Sequence, residues 1–453
     1  MQERKHVVVL PLPTRGHVNP MLRLTGLLAD AGHLVTLVCS DVNYSLLGPE
    51  APEVLLGRGI RLAALPDGLP KEADRTTQVL QMCETVLSAM PEPFEELLNT
   101  LSPSPSCIVA DTWLTFTVAA ASRRGIPHIS FWTQSAASLA SLFLVANNLY
   151  RGPAQGEPKI PGAAFLTEVD MNTFVRCYNP ADFMYRFVTG GFNCLPQSKW
   201  VVVNTFEDLE LQTIHGLREL YGLKNLLAIG PLLPQNLCAT SRSDFQAKLT
   251  SFFWREDETC LSWLDKHEPK SVLYVSFGSL ALISSEQIEE VALALEASGH
   301  PFLWVARSDL IHGRSPTFNE DYLLRVKDHS CFVTWAPQLQ VLRHPSIGVF
   351  FTHGGWNSTI EAITAGVPML GWPYFSDQPM DCTCIEGWGL GLKLSDGMGD
   401  GKIVPKCTIE SKIRSVMSSK AFRERAHNLK MLAEKGLPGI RCSKDFQTLL
   451  DSL

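Results

Sequence analysis

The chain has 453 residues, 45% of them hydrophobic and 19% charged, with 39 basic against 46 acidic side chains for a net charge of −7. That length suits two or three domains, and that apolar content builds ordinary cores and excludes wholesale disorder. No basic stripe tracks a phosphate backbone, so no nucleic-acid partner is expected.

The first apolar run, from Val7, is short and interrupted by Pro11 and Pro13, with no small-residue cleavage site after it. It reads as a buried strand, not a signal peptide. A turn at Thr14–His17 leads into a helix over Val18–Ala31, with Pro20 in its first turn. Gly32 ends that helix, and His33–Cys39 is the next strand. The strand–helix alternation recurs at Ser106–Asp111 and Pro127–Trp132, with a further strand at Val201–Asn204 and Ile229–Pro231 closing this half. The least charged long stretch, Trp132–Tyr150, is broken by Gln134, several serines, Asn147 and Asn148, so it is no transmembrane segment. Gln235–Glu258 is polar and irregular, a linker. The alternation then restarts with strands at Ser271–Phe277, Pro301–Val305, Cys331–Thr334, Ile347–Phe351 and Pro368–Gly371, and a helix over Ser285–Ser298 capped by Ser284 or Ser285. Asp396–Gly401 reads as a surface insertion.

Two such series predict an α/β protein of two Rossmann-like doubly wound domains facing across a cleft. Ligands of open parallel sheets bind beyond the carboxyl ends of the strands, so the turns after the strands hold the candidate chemistry. The twelve cysteines show no C-x-x-C pair and read as reduced thiols, which points to a cytoplasmic location.

The densest stretch runs from Trp335 to Gln378, WAPQLQVLRHPSIGVFFTHGGWNSTIEAITAGVPMLGWPYFSDQ. It holds a strand ending at Thr352-His353, a Gly354-Gly355 turn and a helix opening at Asn357-Ser358. A helix N-terminus beside glycines suits a phosphate group. Ser358-Thr-Ile-Glu361 also matches a capping box, so spacing alone leaves phosphate binding and helix capping both open.

This stretch resembles the nucleotide-sugar signature of plant-type family 1 glycosyltransferases. WAPQ, HPSIG, F-x-T-H, GWNS, GVPM, WP and DQ all fall in register. The likeness extends to G-H-V-N-P at the N-terminus, the Ala110-Asp111 pair, Phe131–Thr133, Val203–Phe206, Ile229–Leu232, Cys260–Asp265 and Val275–Ser279. It covers essentially the whole chain and implies the GT-B fold and a UDP-sugar donor. By resemblance, Trp335 stacks on uracil and Ala336 bonds the base through its backbone. Gln338 and Glu361 hold the ribose, and His353, Asn357, Ser358 and Ser279 hold the pyrophosphate. Asp377, Gln378, the Trp356 backbone and Thr133 contact the sugar.

His17 taken alone is a helix-start residue or a surface group as readily as a catalyst, and Asp111 taken alone is a possible N-cap. The resemblance makes His17 the general base and Asp111 the acid that orients it. It implies residues 1–234 as the acceptor-binding domain, 235–258 as linker, 259–430 as the UDP-sugar domain, and 431–453 as a C-terminal helix packing back towards the N-terminal domain.

The resemblance implies UDP-glucose as donor, since Gln at the last position of the stretch, here Gln378, goes with glucose in the family and His with galactose; a Gln side chain offers both a hydrogen-bond donor and an acceptor, which suits adjacent equatorial hydroxyls. Met82–Met90, Trp132–Tyr150 and Asp182–Phe192 are apolar and aromatic, so the expected partner is a hydrophobic small-molecule acceptor, met by a monomer. No D-x-D tripeptide occurs, so no metal is expected. Two residues depart from the family pattern: Gly354 where Cys is usual, which loosens the turn, and Asp381 where Asn is usual, which adds charge near the sugar end. Rival readings are a silent UDP-sugar binder and a nucleotide-sugar epimerase.

Overall fold

The computed structural model describes residues 4–75, 78–152, 154, 156–176, 178–234, 249, 252–253, 256–307, 310, 318–398, 402–436 and 443–453. Most of the expected linker, the tip of the 396–401 loop and part of the C-terminal stretch lie outside these residues. The chain divides into two compact units. One comprises Met1–Gly162, Cys177–Trp254 and Lys435–Leu453; the other comprises Ala163–Arg176 and Arg255–Glu434. The segment Ala163–Arg176 thus groups with the second unit although its place in the sequence is in the first half.

The first unit is built on seven strands: β1 (His6–Leu10), β2 (Leu34–Ser40), β3 (Ile60–Leu65), β4 (Cys107–Asp111), β5 (His128–Trp132), β6 (Trp200–Val203) and β7 (Leu226–Ala228). Their order is β3-β2-β1-β4-β5-β6-β7. All pairings are parallel, with Val7 opposite Val35 on one side and Cys107 on the other. A strand buried on both faces is apolar or has its polar groups bonded: β1, HVVVL, is buried at every residue, with the His6 ring bonded to Pro103 O and Thr36 Oγ1. Val7, Val9, Leu24, Leu28, Val35, Leu37, Val109 and Phe131 share one core cluster. Each such side chain contributes about 1.5–3 kcal/mol when fully buried.

The second unit carries β8 (Val272–Ser276), β9 (Phe302–Val305), β10 (Ser330–Val333), β11 (Ile347–Thr352), β12 (Met369–Gly371) and β13 (Gly391–Lys393). The order is β10-β9-β8-β11-β12-β13, again all parallel. In both sheets the strand order reverses beside the first strand, between β1 and β4 and between β8 and β11. A crevice opens at such a switch point, at the carboxyl ends of the two strands.

The helix at Ser285–Ser298 matches its sequence expectation, with the Ser284 hydroxyl accepting from Gln287 N at 3.2 Å. Other elements differ. β3 and β13 were not expected; β3 has four residues that are only partly buried or exposed, so its pattern is weak. The last strand of the first sheet is Leu226–Ala228 rather than Ile229–Pro231, since Pro231 has no N–H for a ladder. The first helix spans Arg15–Asp30, so His17 lies in its opening turn and Pro20 beyond it. Thr14 is its N-cap residue and makes no side-chain cap bond.

Two polar anchors complete the first unit. Helix Lys444–Asp451 docks on its sheet edge: the Asp445 carboxylate accepts from Ala228 N at 2.8 Å and from Arg218 at 2.5 Å, and Trp200 Nε1 donates to Ser452 Oγ at 2.7 Å. The buried Glu210 carboxylate accepts from Ala136 N and Ala137 N, both at 2.9 Å, and from the Thr205 hydroxyl at 2.6 Å. Burial pushes its pKa up against these hydrogen bonds. It holds the N-terminus of helix Ala136–Ala146 and with it the Thr133–Ser135 turn.

Candidate active site

At the switch point of the first sheet, His17 follows β1 and Asp111 ends β4. β1 and β4 are neighbours, and the two side chains meet: His17 Nδ1 lies 2.5 Å from Asp111 Oδ2. Asp111 is 2% exposed and His17 13%. The other Asp111 oxygen accepts from Trp113 N at 3.1 Å, which fixes the carboxylate. Thr133 Oγ1 is a second acceptor for the Nδ1 proton, at 3.1 Å. With that proton on Nδ1, the lone pair of His17 sits on Nε2. The Trp113 ring lies 4.9 Å from the imidazole and contacts Phe187 and Trp132, and Trp132 contacts Phe192. The base therefore stands against an aromatic wall.

At the switch point of the second sheet, Gly278-Ser279 follows β8 and His353 follows β11. The His353 ring is held between two glycines: a Cβ at Gly278 would lie 2.5 Å from it and one at Gly355 2.6 Å. Burial, with the Arg307 charge adding to it, pushes the His353 pKa down to about 4, so the imidazole is neutral at pH 7. The Arg307 guanidinium donates to the carbonyls of Gly278 and Ala281 and so fixes the turn carrying Ser279. Helix Trp356–Ala365 has Gly355 as its N-cap. Ser358 is thus the third helical residue, and the capping-box reading of Ser358 and Glu361 does not hold. A helix supplies its first-turn N–H groups with no acceptor of its own, so this end suits an anion.

Gln338 opens the helix Gln338–Arg343, after Trp335 and Ala336. Its amide nitrogen donates to Ser358 Oγ at 3.0 Å and to Glu361 Oε2 at 2.8 Å, while its oxygen accepts from the buried Tyr274 hydroxyl at 3.2 Å. Asp377 and Gln378, both 7% exposed, open the helix Gln378–Gly387. Gln378 Oε1 accepts from Tyr374 N at 2.8 Å and Phe375 N at 3.2 Å. The expectation of a Gln378 side chain presenting donor and acceptor alike is corrected: its oxygen is engaged by backbone, and it presents its NH₂. Gly354 has φ of 76°, and a Cβ there would lie 2.3 Å from Cys382 Sγ, so the thiol fills the place of a side chain. Asp381 is fully buried in the first turn of its helix, where the helix dipole favours an acidic residue.

Comparison with known proteins settles the family. Residues 260–435 match the model for UDP-glucoronosyl and UDP-glucosyl transferases. UDP-glycosyltransferase 85A5 of Arabidopsis thaliana is 34% identical over 100% of this chain and 97% of its own length. The chain belongs to the plant-type family 1 UDP-glycosyltransferases. The (R)-mandelonitrile beta-glucosyltransferase of Prunus dulcis is 35% identical over 96% of this chain and 93% of its own. The crystal structure of Os79 from O. sativa in complex with UDP superposes with a TM-score of 0.83, at 28% identity over 98% of both chains. These comparisons bear out the two-domain GT-B class and a UDP-sugar donor.

In this UDP-glycosyltransferase the structure gathers His17, Asp111 and Thr133 at one switch point. At the other it gathers Ser279, His353, Asn357 and Ser358, with Gln338 and Glu361 alongside. Trp113, Tyr274 and Arg307 were not singled out in the sequence: each lies in a strand or a turn after one, and each acts through a contact distant in sequence. No helix among the described residues is long and apolar enough to cross a membrane.

Buried neutral histidines set an acid limit on this fold. His128, bonded to Thr117 and Ser198, is also pushed down to about 4 by burial. Between pH 6.5 and 4 the unfolded chain binds protons at both sites and the folded chain does not. Stability therefore falls as pH falls, by up to about 1.4 kcal/mol per unit for each group. Urea midpoints should drop between pH 7 and pH 5, and His128→Gln should flatten that slope; an unchanged slope in the variant would remove His128 from the account.

Proposed function

We propose that the chain transfers glucose from UDP-glucose to a hydroxyl of a hydrophobic small molecule and inverts the anomeric carbon to give a β-glycoside. The observation that carries this reading is His17, held through Nδ1 by a buried carboxylate beside an aromatic wall. Its Nε2 takes the acceptor proton as the hydroxyl oxygen bonds to C1 of the sugar. The C1–O bond to phosphate breaks, and its electron pair leaves with UDP. Asp111 stabilises the imidazolium, as in the histidine–aspartate pairs of hydrolases. The helix N-terminus at Trp356, with Ser279, Asn357, Ser358 and the neutral His353 as donors, takes the charge growing on the diphosphate. Trp335 and Ala336 bind the base, Gln338 and Glu361 the ribose, and Asp377 and Gln378 the sugar.

The Prunus dulcis relative, whose name specifies β-glucosyl transfer to a small molecule, supports donor and product geometry. The cysteines among the described residues form no disulfide, which fits a cytoplasmic enzyme. The test is labelled UDP-glucose incubated with and without a panel of hydroxylated aromatic acceptors, against UDP-galactose and with excess chelator. Acceptor-dependent β-glucoside, a preference for UDP-glucose and full activity in chelator are expected. A tenfold preference for UDP-galactose, or UDP-sugar binding without turnover on any acceptor, would overturn the reading.

A further inference from the structure

The segment Ala163–Arg176 makes a set of bonds whose target is the turn before Gln378. Ser376 in that turn has φ of 62°, a left-handed conformation that costs a residue with a Cβ. Its backbone is gripped on both sides by Thr173: Thr173 N donates to Ser376 O at 3.0 Å, and Ser376 N donates to Thr173 Oγ1 at 2.8 Å. Asn172, fully buried, donates to Ser376 Oγ at 3.4 Å and accepts from Phe174 N at 3.0 Å. The Phe174 ring meets Phe375 edge to face.

The same segment is fastened again one turn along the following helix. Asp170 accepts from the Thr383 hydroxyl at 2.6 Å and from Lys393 Nζ at 3.0 Å. Burial disfavours the Lys393 charge, but Asp170 and Asp396 more than offset it, and its pKa is raised. The segment is therefore a strap with two fixed points, and the strained residue lies directly before Asp377 and Gln378. A strained backbone persists only where its surroundings over-determine it.

We propose that Thr173 is a positioning residue for donor-sugar selection: by holding Ser376 left-handed it aims Asp377 and the Gln378 NH₂ at the sugar hydroxyls. This rests on the reading of Asp377 and Gln378 as the sugar contacts. The bonds and ring contact of the strap named above reach Phe375, Ser376, Thr383 and Lys393, so the loss of Thr173 should separate sugar reading from nucleotide binding.

The experiment compares Thr173→Val, Thr173→Ala and Thr173→Ser with wild type by calorimetric UDP binding, by kcat/KM with UDP-glucose and UDP-galactose, and by thermal denaturation. Removing the hydroxyl should leave UDP affinity within about twofold. It should lower kcat/KM for UDP-glucose roughly tenfold, the scale of one lost hydrogen bond to a backbone N–H, and narrow the glucose preference at least threefold. Thr173→Ser keeps the hydroxyl and should restore both. Should Thr173→Val disturb folding, Thr173→Ala removes the same hydroxyl without adding a methyl. Folded Val and Ala variants with wild-type selectivity would overturn the inference, as would a loss of UDP affinity equal to the loss in kcat/KM. A wild-type enzyme with no preference between the two donors would instead overturn the sugar contacts on which it rests.

Discussion

His17→Ala should abolish transfer to alcohol acceptors, by ~10²–10⁴ in rate, while UDP affinity stays within a few-fold. The base and the nucleotide residues belong to different units, His17 in the first and Trp335, Gln338 and Ser358 in the second. His17 is held by Asp111 and Thr133. Asp111→Asn should cost less than His17→Ala, because the base remains and only its orientation and imidazolium stability suffer. An acidic phenol or thiol acceptor should suffer least from either change, since it ionises unaided. Trp335→Ala should show the opposite pattern, weak UDP binding with the base intact. Calorimetric UDP titrations beside initial rates measure both quantities. Near wild-type transfer to an alcohol by His17→Ala, or loss of its UDP binding, would sink the assigned mechanism.

The sequence made the central strands legible because a strand buried on both faces is mostly apolar. β1, β8 and β11 carry apolar runs, broken only by His6, Ser276 and Thr352 at their ends, and all three are buried at every residue. β3, at the sheet edge, and the three-residue β13 carry no such signature. Two helices begin earlier than the sequence suggested, at Arg15 and Trp356, with Thr14 and Gly355 as N-caps that make no side-chain bond. The types of site residues were legible through family resemblance, but their partners were not. Thr133 on His17 spans more than a hundred positions, and Thr173 on Ser376 about two hundred. Tyr274 was expected only as part of a strand, yet its hydroxyl orients Gln338. Contacts of this separation follow from sheet order, which periodicity does not specify.

Gly278→Ala should cripple donor binding without any change of charge. Two effects add at this position. Gly278 has φ of 73°, and a residue with a Cβ pays about 1–2 kcal/mol there. The new methyl would also stand 2.5 Å from the His353 ring, inside contact distance. The imidazole has little room to yield, since Gly355 also approaches Nε2 closely and Thr352 Oγ1 lies 3.4 Å from Nδ1. Overpacking of this kind costs about 1–3 kcal/mol. Displacing the ring moves His353 itself, and displacing the Gly278-Ser279 turn breaks the carbonyl contacts of Arg307, so UDP affinity should fall at least tenfold. Gly299 supplies the control. It has nearly the same φ, 71°, at the end of helix Ser285–Ser298, but a Cβ there meets nothing within 4 Å. Gly299→Ala should therefore lose only the same backbone contribution, about 1–2 kcal/mol, with UDP binding unchanged. The difference between the two variants in urea stability and in UDP affinity isolates the steric term at His353. Equal stability losses, with UDP bound at wild-type affinity by Gly278→Ala, would show that the histidine slot does not shape the phosphate site.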